Sequence, residues 1–202
     1  MSNLVLFTQR VEIVESYGER RDCADQRIAE FLLACGYLPI PIPNNRDIAE
    51  KMLTDLNPAG IVLTGGNSLV KYGGNASERD EVDKRLIEFS VKKELPLLGF
   101  CRGMQSILDY FGNDLVNVSG HVAVRHKIFG TDNEIEVNSY HNQACIELKT
   151  DNLKCIMHSD DGVIEKVTHN SLPIVGIMWH PEREATFRES DITMIKELFG
   201  EE

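Results

Sequence analysis

Pro96-Leu97-Leu98-Gly99-Phe100-Cys101-Arg102-Gly103-Met104-Gln105-Ser106-Ile107-Leu108 is the stretch on which the fold turns. It opens with a short, nearly continuous apolar run, as expected of a strand covered on both faces of a parallel sheet. Met104, Ile107, Leu108 and Phe111 then recur at helical spacing. The change of period falls on Gly99-Phe100-Cys101-Arg102-Gly103, the setting of a G-x-S-x-G elbow with sulfur in place of oxygen. Small residues two positions either side of the centre let strand and helix pack closely while the central residue holds strained dihedrals and projects its side chain clear. Cys101 also stands at a helix start, where the macrodipole favours the thiolate. It is therefore the candidate nucleophile.

Working outward toward the N-terminus, strand and helix patterns alternate. Leu4 to Phe7 reads as a buried strand and is followed by a polar loop. Ile28, Phe31, Leu32 and Cys35 mark a helix stopped by Gly36, and Tyr37 to Ile42 reads as a strand that the prolines at 39, 41 and 43 push to a sheet edge. Asp47 to Leu56 is a short helix and Gly60 to Thr64 a further buried strand ending in Gly65-Gly66. Ser77-x-x-Asp80 resembles a capping box for a helix through Val82, Leu86 and Phe89, whose charge run from Glu78 to Glu94 reads as a solvated face. This alternation implies right-handed crossovers and a parallel sheet. Beyond Leu115 the pieces are strand-like, at His121 to Phe129, Glu134 to Val137, Val163 to Val167 and Ile174 to Met178, so the sheet is expected to be mixed. Ile192, Ile195 and Phe199 give a final helix. With 202 residues and no linker or repeat, one α/β domain over 1–202 is expected.

The formal charge is -11, with 21 Lys and Arg against 32 Asp and Glu. Such a field disfavours nucleic acid, and an anionic ligand would need a local cluster of cations. Arg10, Arg20, Arg21, Arg102 and Arg125, with His121 and His126, form a candidate basic rim. No apolar run approaches a membrane span and Met1 to Arg10 carries no secretory pattern. Five cysteines, an odd count without a C-x-x-C pair, suit a reduced, cytoplasmic protein.

A thiolate nucleophile needs a proton shuttle. Of six histidines, His180 stands out because Ile174-Val175-Gly176-Ile177-Met178-Trp179 is a buried strand delivering it to a C-terminal sheet edge, where sites form in open α/β sheets. Glu182, two residues on, can turn back to the other ring nitrogen and fix the tautomer. Acyl transfer also needs an oxyanion hole, for which the N–H groups of Gly66 and Arg102 are the candidates. His121, His126 and His141 have neither helical i, i+4 spacing nor a Cys/His ligand pattern, so no metal is expected and they should line or flank the pocket.

Leu63-Thr64-Gly65-Gly66-Asn67, Gly99-Phe100-Cys101-Arg102-Gly103-Met104-Gln105 and Trp179-His180-Pro181-Glu182 together resemble, in order and spacing, a class I glutamine amidotransferase. Arg79, Asp80 and Asp83, with Val137-Asn138-Ser139-Tyr140-His141-Asn142-Gln143, make the chain most similar to the free-standing γ-glutamyl amide hydrolases of that superfamily. The resemblance implies a three-layer, flavodoxin-like fold with a mixed, mostly parallel sheet between helices. It also implies Cys101 as nucleophile, His180 as general acid/base and Glu182 as orienting carboxylate. Gly65, Asn67, Gln105, His121, Ser139, Tyr140 and His141 would lie around the substrate, with no cofactor.

The implied reaction is hydrolysis of a γ-glutamyl amide through a thioester. Asp often follows G-G-N in members acting on polyamine conjugates, whereas Ser68 stands here. The nearest resemblance is instead to the type that releases a cytidine diphosphate amidate in bacterial capsule synthesis. A glutaminase subunit feeding ammonia to a separate synthase, a γ-glutamyl polyamine hydrolase, or a regulatory binding module are the alternatives, and a homo-oligomer or a synthase is the conceivable partner.

Overall fold

Along Leu4-Val5-Leu6-Phe7, Leu6 enters one apolar core while Val5 and Phe7 enter another, and Ile61 and Leu63 part from Val62 in the same way. This period-two sorting builds a sheet with a core on each face. The computed structural model describes residues 3–131 and 133–200. In chain order the elements are β1 (Leu4–Thr8), β2 (Arg10–Val14), β3 (Glu19–Cys23), α1 (Gln26–Ala34), β4 (Leu38–Ile42), α2 (Arg46–Leu56) and β5 (Gly60–Leu63). There follow α3 (Ser77–Lys93), β6 (Leu97–Phe100), α4 (Arg102–Tyr110), β7 (Val116–Asn117), β8 (Val122–Phe129), β9 (Glu134–Tyr140) and β10 (Gln143–Ala144). The chain closes with β11 (Leu153–Ser159), β12 (Ile164–His169), β13 (Ile174–Ile177) and α5 (Glu189–Phe199).

The central sheet runs β4-β1-β5-β6-β13-β12-β11-β8-β9. The strands from β4 through β13 pair in parallel, and those from β13 through β9 pair antiparallel. Ala49 and Leu53 of α2, Val82 and Leu86 of α3, and Met104, Ile107 and Leu108 of α4 fill one core. Ile28, Phe31 and Leu32 of α1, with Ile195 and Phe199 of α5, fill the other. Each of these side chains larger than Ala49 contributes about 1.5–3 kcal/mol on burial. The expected three-layer α/β fold with a mixed sheet is what forms, and β4 with its prolines lies at the edge. No helix among the described residues is long and apolar enough to cross a membrane.

Five local expectations are corrected. The polar loop after β1 is the antiparallel hairpin β2–β3, outside the main sheet. The Ser77 capping box does not form: Ala76 occupies the cap position, and the Asp80 carboxylate instead accepts the Val70 N–H at 2.8 Å. The charged face of α3 is not wholly solvated, because Arg79 and Asp83 are buried. Finally β9 runs three residues further than Glu134 to Val137, and β11 is an additional strand.

Candidate active site

Cys101 sits between β6 and α4 at φ 52 and ψ -110, a strained conformation for a residue with a side chain. The surroundings hold it there. Its N–H donates to Ile177 O at 2.8 Å. A Cβ at Gly99 would lie 2.6 Å from the Gly103 carbonyl oxygen, and one at Gly103 would overlap the Leu63 carbonyl. Both flanking glycines are thus required for α4 to approach β5 and β6, as expected of an elbow.

β13 pairs with β6 in parallel, placing Ile177 opposite Phe100, so the chain leaving β13 arrives beside the elbow. His180 is buried there, with Phe100 and Tyr140 edge-on at ring centroid distances of 5.7 and 5.5 Å. The Asn138 side chain brackets its backbone, accepting the His180 N–H at 2.9 Å and donating to the His180 carbonyl at 2.8 Å. Nδ1 lies 2.6 Å from Glu182 Oε1. Arg27, from α1, fixes that turn by donating to Glu182 O at 3.1 Å and Glu184 O at 2.6 Å.

A Cβ at Gly65 would lie 2.7 Å from His180 Cε1 and 3.6 Å from Cys101 Cβ. The imidazole and the cysteine side chain therefore meet over this glycine. Burial pushes the His180 pKa down, but the Cys101 sulfur and the Glu182 carboxylate outweigh it and raise it to about 10. With Nδ1 engaged by Glu182, Nε2 has no hydrogen-bond partner among the described residues.

The loop after β5 is fastened from behind. Buried Arg79 donates to the carbonyls of Thr64 at 2.7 Å, Gly65 at 2.9 Å and Gly66, and to Asn67 Oδ1 at 3.2 Å. In a trans peptide C=O and N–H point oppositely, so anchoring the Gly65 carbonyl on Arg79 turns the Gly66 N–H away from it. Asn67 ties the loop to β2, accepting the Val11 N–H at 2.9 Å and donating to Val11 O at 3.0 Å. A cavity of about 320 Å³ opens beside this loop, with Arg10, Glu12, Cys23, Asp25, His180 and Arg183 in its wall.

Other expected site residues lie elsewhere or act differently. Gln105 donates to Gln143 O at 2.8 Å, and the Ser139 hydroxyl to His121 O at 2.7 Å. Tyr140 carries Arg183 over its ring at 4.2 Å. His121 and His141 do not line the cavity; with His126 they gather around Glu165, a residue without a motif of its own in the sequence. The basic rim does not assemble either. The Arg102 side chain is buried against Asp80 and Asp83, Arg20 pairs with Glu78, Arg21 with Glu19, and Arg125 with Glu136 and Glu184. Arg10 alone of that set reaches the cavity wall, where it is paired with Glu12. Arg27 escapes a sequence reading, and Asn138, within the 137–143 segment, receives no role there, since nothing in a single sequence marks a side chain that acts on distant backbone.

The chain thus presents an open α/β sheet bearing a strained cysteine elbow with a His–Glu pair beside it. Residues 21–199 match the family Glutamine amidotransferase class-I, and the chain belongs to that family. It is similar to the "Gamma-glutamyl-CDP-amidate hydrolase" of Campylobacter jejuni, at 32% identity over 199 residues covering 96% of each chain. It is also similar to a glutamine-hydrolysing GMP synthase subunit of Methanosphaera stadtmanae, 28% identical over 90% of this chain and 93% of that one. Among solved structures, a glutamine amidotransferase from Thermotoga maritima superposes with a TM-score of 0.67 at 17% identity, covering 98% of this chain and 84% of that one. The structural likeness establishes the fold.

Proposed function

We propose that the chain acts as one hydrolase domain that cleaves a γ-glutamyl amide through a γ-glutamyl thioester on Cys101, with γ-glutamyl-CDP-amidate as substrate. The observation that carries the mechanism is the His180 ring, bonded through Nδ1 to Glu182 and meeting Cys101 over Gly65. The raised His180 pKa supports an imidazolium beside the Cys101 sulfur before substrate arrives. The thiolate attacks the γ-carbonyl carbon, and the Gly66 and Arg102 N–H groups hold the resulting oxyanion. The C–N bond breaks as Nε2–H gives its proton to the leaving nitrogen. Neutral His180 then takes a proton from water, whose oxygen attacks the thioester. The C–S bond breaks, glutamate leaves, and the thiolate–imidazolium pair is restored. Glu182 holds the tautomer throughout.

The substrate choice rests on the Campylobacter relative and on Arg10, which packs against Gly66 and reaches the cavity wall. A capsule-precursor role would follow from that substrate, and an odd count of five cysteines suits a reduced cytoplasmic setting. Purified protein assayed for glutamate release should turn over the nucleotide amidate faster than glutamine or a γ-glutamyl polyamine. Faster polyamine turnover overturns the substrate. Glutamine hydrolysis that appears only with a synthase present favours the ammonia-donating reading, which the Methanosphaera relative supports.

Two further outcomes are expected. Arg10→Ala should raise KM for the nucleotide amidate several-fold more than for glutamine, as loss of a charge-assisted contact to the leaving group would; equal changes would remove Arg10 from specificity. The pH profile follows from His180: its folded pKa is raised, so the imidazolium persists through neutrality and is lost as pH rises through about 10. The alkaline limb of kcat/KM should therefore lie near that value and move down in Glu182→Gln. A limb near the ordinary histidine value of about 6.5 would contradict the pair.

A further inference from the structure

Three imidazole nitrogens converge on one carboxylate oxygen away from the cavity. His121 Nδ1, His126 Nε2 and His141 Nε2 each lie 3.4 Å from Glu165 Oε1. His121, His141 and Glu165 are buried, and their ligand atoms lie within 4.8 Å of one another. All four converging atoms lack a hydrogen-bond partner among the described residues, as does Glu165 Oε2. A carboxylate with no solvent exposure and no donor is costly. The spacing is too long for N–H···O bonds, which cluster at about 2.9–3.0 Å. Each N···O separation matches the ligand-to-ligand edge of a tetrahedron around zinc, which for bonds of about 2.0–2.1 Å is about 3.4 Å; His121, His141 and Glu165, whose ligand atoms also lie within 4.8 Å of one another, form the core of the set and His126 borders it.

We propose that His121 Nδ1, His126 Nε2, His141 Nε2 and Glu165 Oε1 form a binding site for one divalent transition-metal ion, with Zn²⁺ the best fit. Imidazole with one carboxylate is a borderline donor set suited to Zn²⁺ rather than Mg²⁺ or Ca²⁺. The outer contact is also in place: His121 Nε2 lies 2.9 Å from Asp161 Oδ2, the carboxylate–histidine–metal arrangement that fixes the tautomer presenting Nδ1. Four protein ligands close the coordination shell, so the ion is structural. It pins the β8–β9 hairpin to β12, and both flank the segment carrying His180: Met178 N–H donates to Glu165 O at 2.8 Å, and Asn138 of β9 holds the His180 backbone.

The test is elemental analysis and Zn²⁺ titration of the full chain, with thermal melts before and after a strong chelator. One equivalent of zinc is expected, its removal lowering Tm and its return restoring it. His126→Ala, the least buried ligand, should abolish stoichiometric binding, and Asp161→Asn, exposed and outside the ligand set, should weaken it about 10- to 100-fold. Cys101→Ala should keep the full equivalent, which separates this site from any adventitious Cys101–His180 chelate. No bound metal with no Tm response to Zn²⁺, or metal lost in Cys101→Ala but kept in His126→Ala, would overturn the proposal.

Discussion

Cys101→Ala is expected to leave the fold intact and to lower kcat/KM for every γ-glutamyl amide by about 10⁴-fold or more, a loss of about 5 kcal/mol in transition-state stabilisation. The size follows from the chemistry: without sulfur there is no covalent intermediate, and only binding and the oxyanion donors remain. The elbow should survive, because Gly99 and Gly103 set the close approach and the backbone N–H of Cys101 is held by Ile177 O. Release of the strained dihedral, which costs about 1–3 kcal/mol, requires glycine rather than alanine, so no large gain in Tm is expected. Paired melts and steady-state assays check both halves. A variant retaining a tenth of the activity would show that another group carries the attack.

Gly103→Ala should act on the structure itself. Its added carbon would meet the Leu63 carbonyl oxygen and carbon, which are backbone atoms of β5 and cannot rotate aside. Relief requires moving α4 away from the sheet, and with it Met104, Ile107 and Leu108 out of their core. Overpacking of this kind costs about 1–3 kcal/mol, and rigid backbone on both sides sets the expectation at the upper end. Activity should fall with it, since the Arg102 N–H moves as the helix start moves. Chemical denaturation giving an unchanged midpoint would contradict the packing described around the elbow.

The elbow, the His–Glu pair and most of the sheet were legible because each is local: a period change at Gly99 to Gly103, a buried strand ending at His180, a carboxylate two residues on. The parts missed are those whose meaning comes from elsewhere in the chain. β2–β3 stands outside the main sheet and is largely exposed on β3, so Glu19-Arg20-Arg21-Asp22 shows no apolar alternation. β11 carries two register shifts, between Cys155 and Met157 and between Met157 and His158, which break the period of two. Glu165 stands beside buried Ile164 on a strand, where alternation would turn it to solvent; its burial follows from histidines contributed by β8 and by the residues flanking β8 and β9. Arg79 reads as one charge in a charged helix until the loop carbonyls that it holds are seen.

Treatment with one equivalent of a glutamine-like electrophile, followed by peptide mapping of all five cysteines, addresses the thioester most directly. Cys23, which lines the cavity together with His180, is the natural competitor. The expected result is a single label on Cys101, formed in proportion to lost activity and slowed by substrate. Activity lost with the label on Cys23 and Cys101 still free would contradict a covalent intermediate at the elbow.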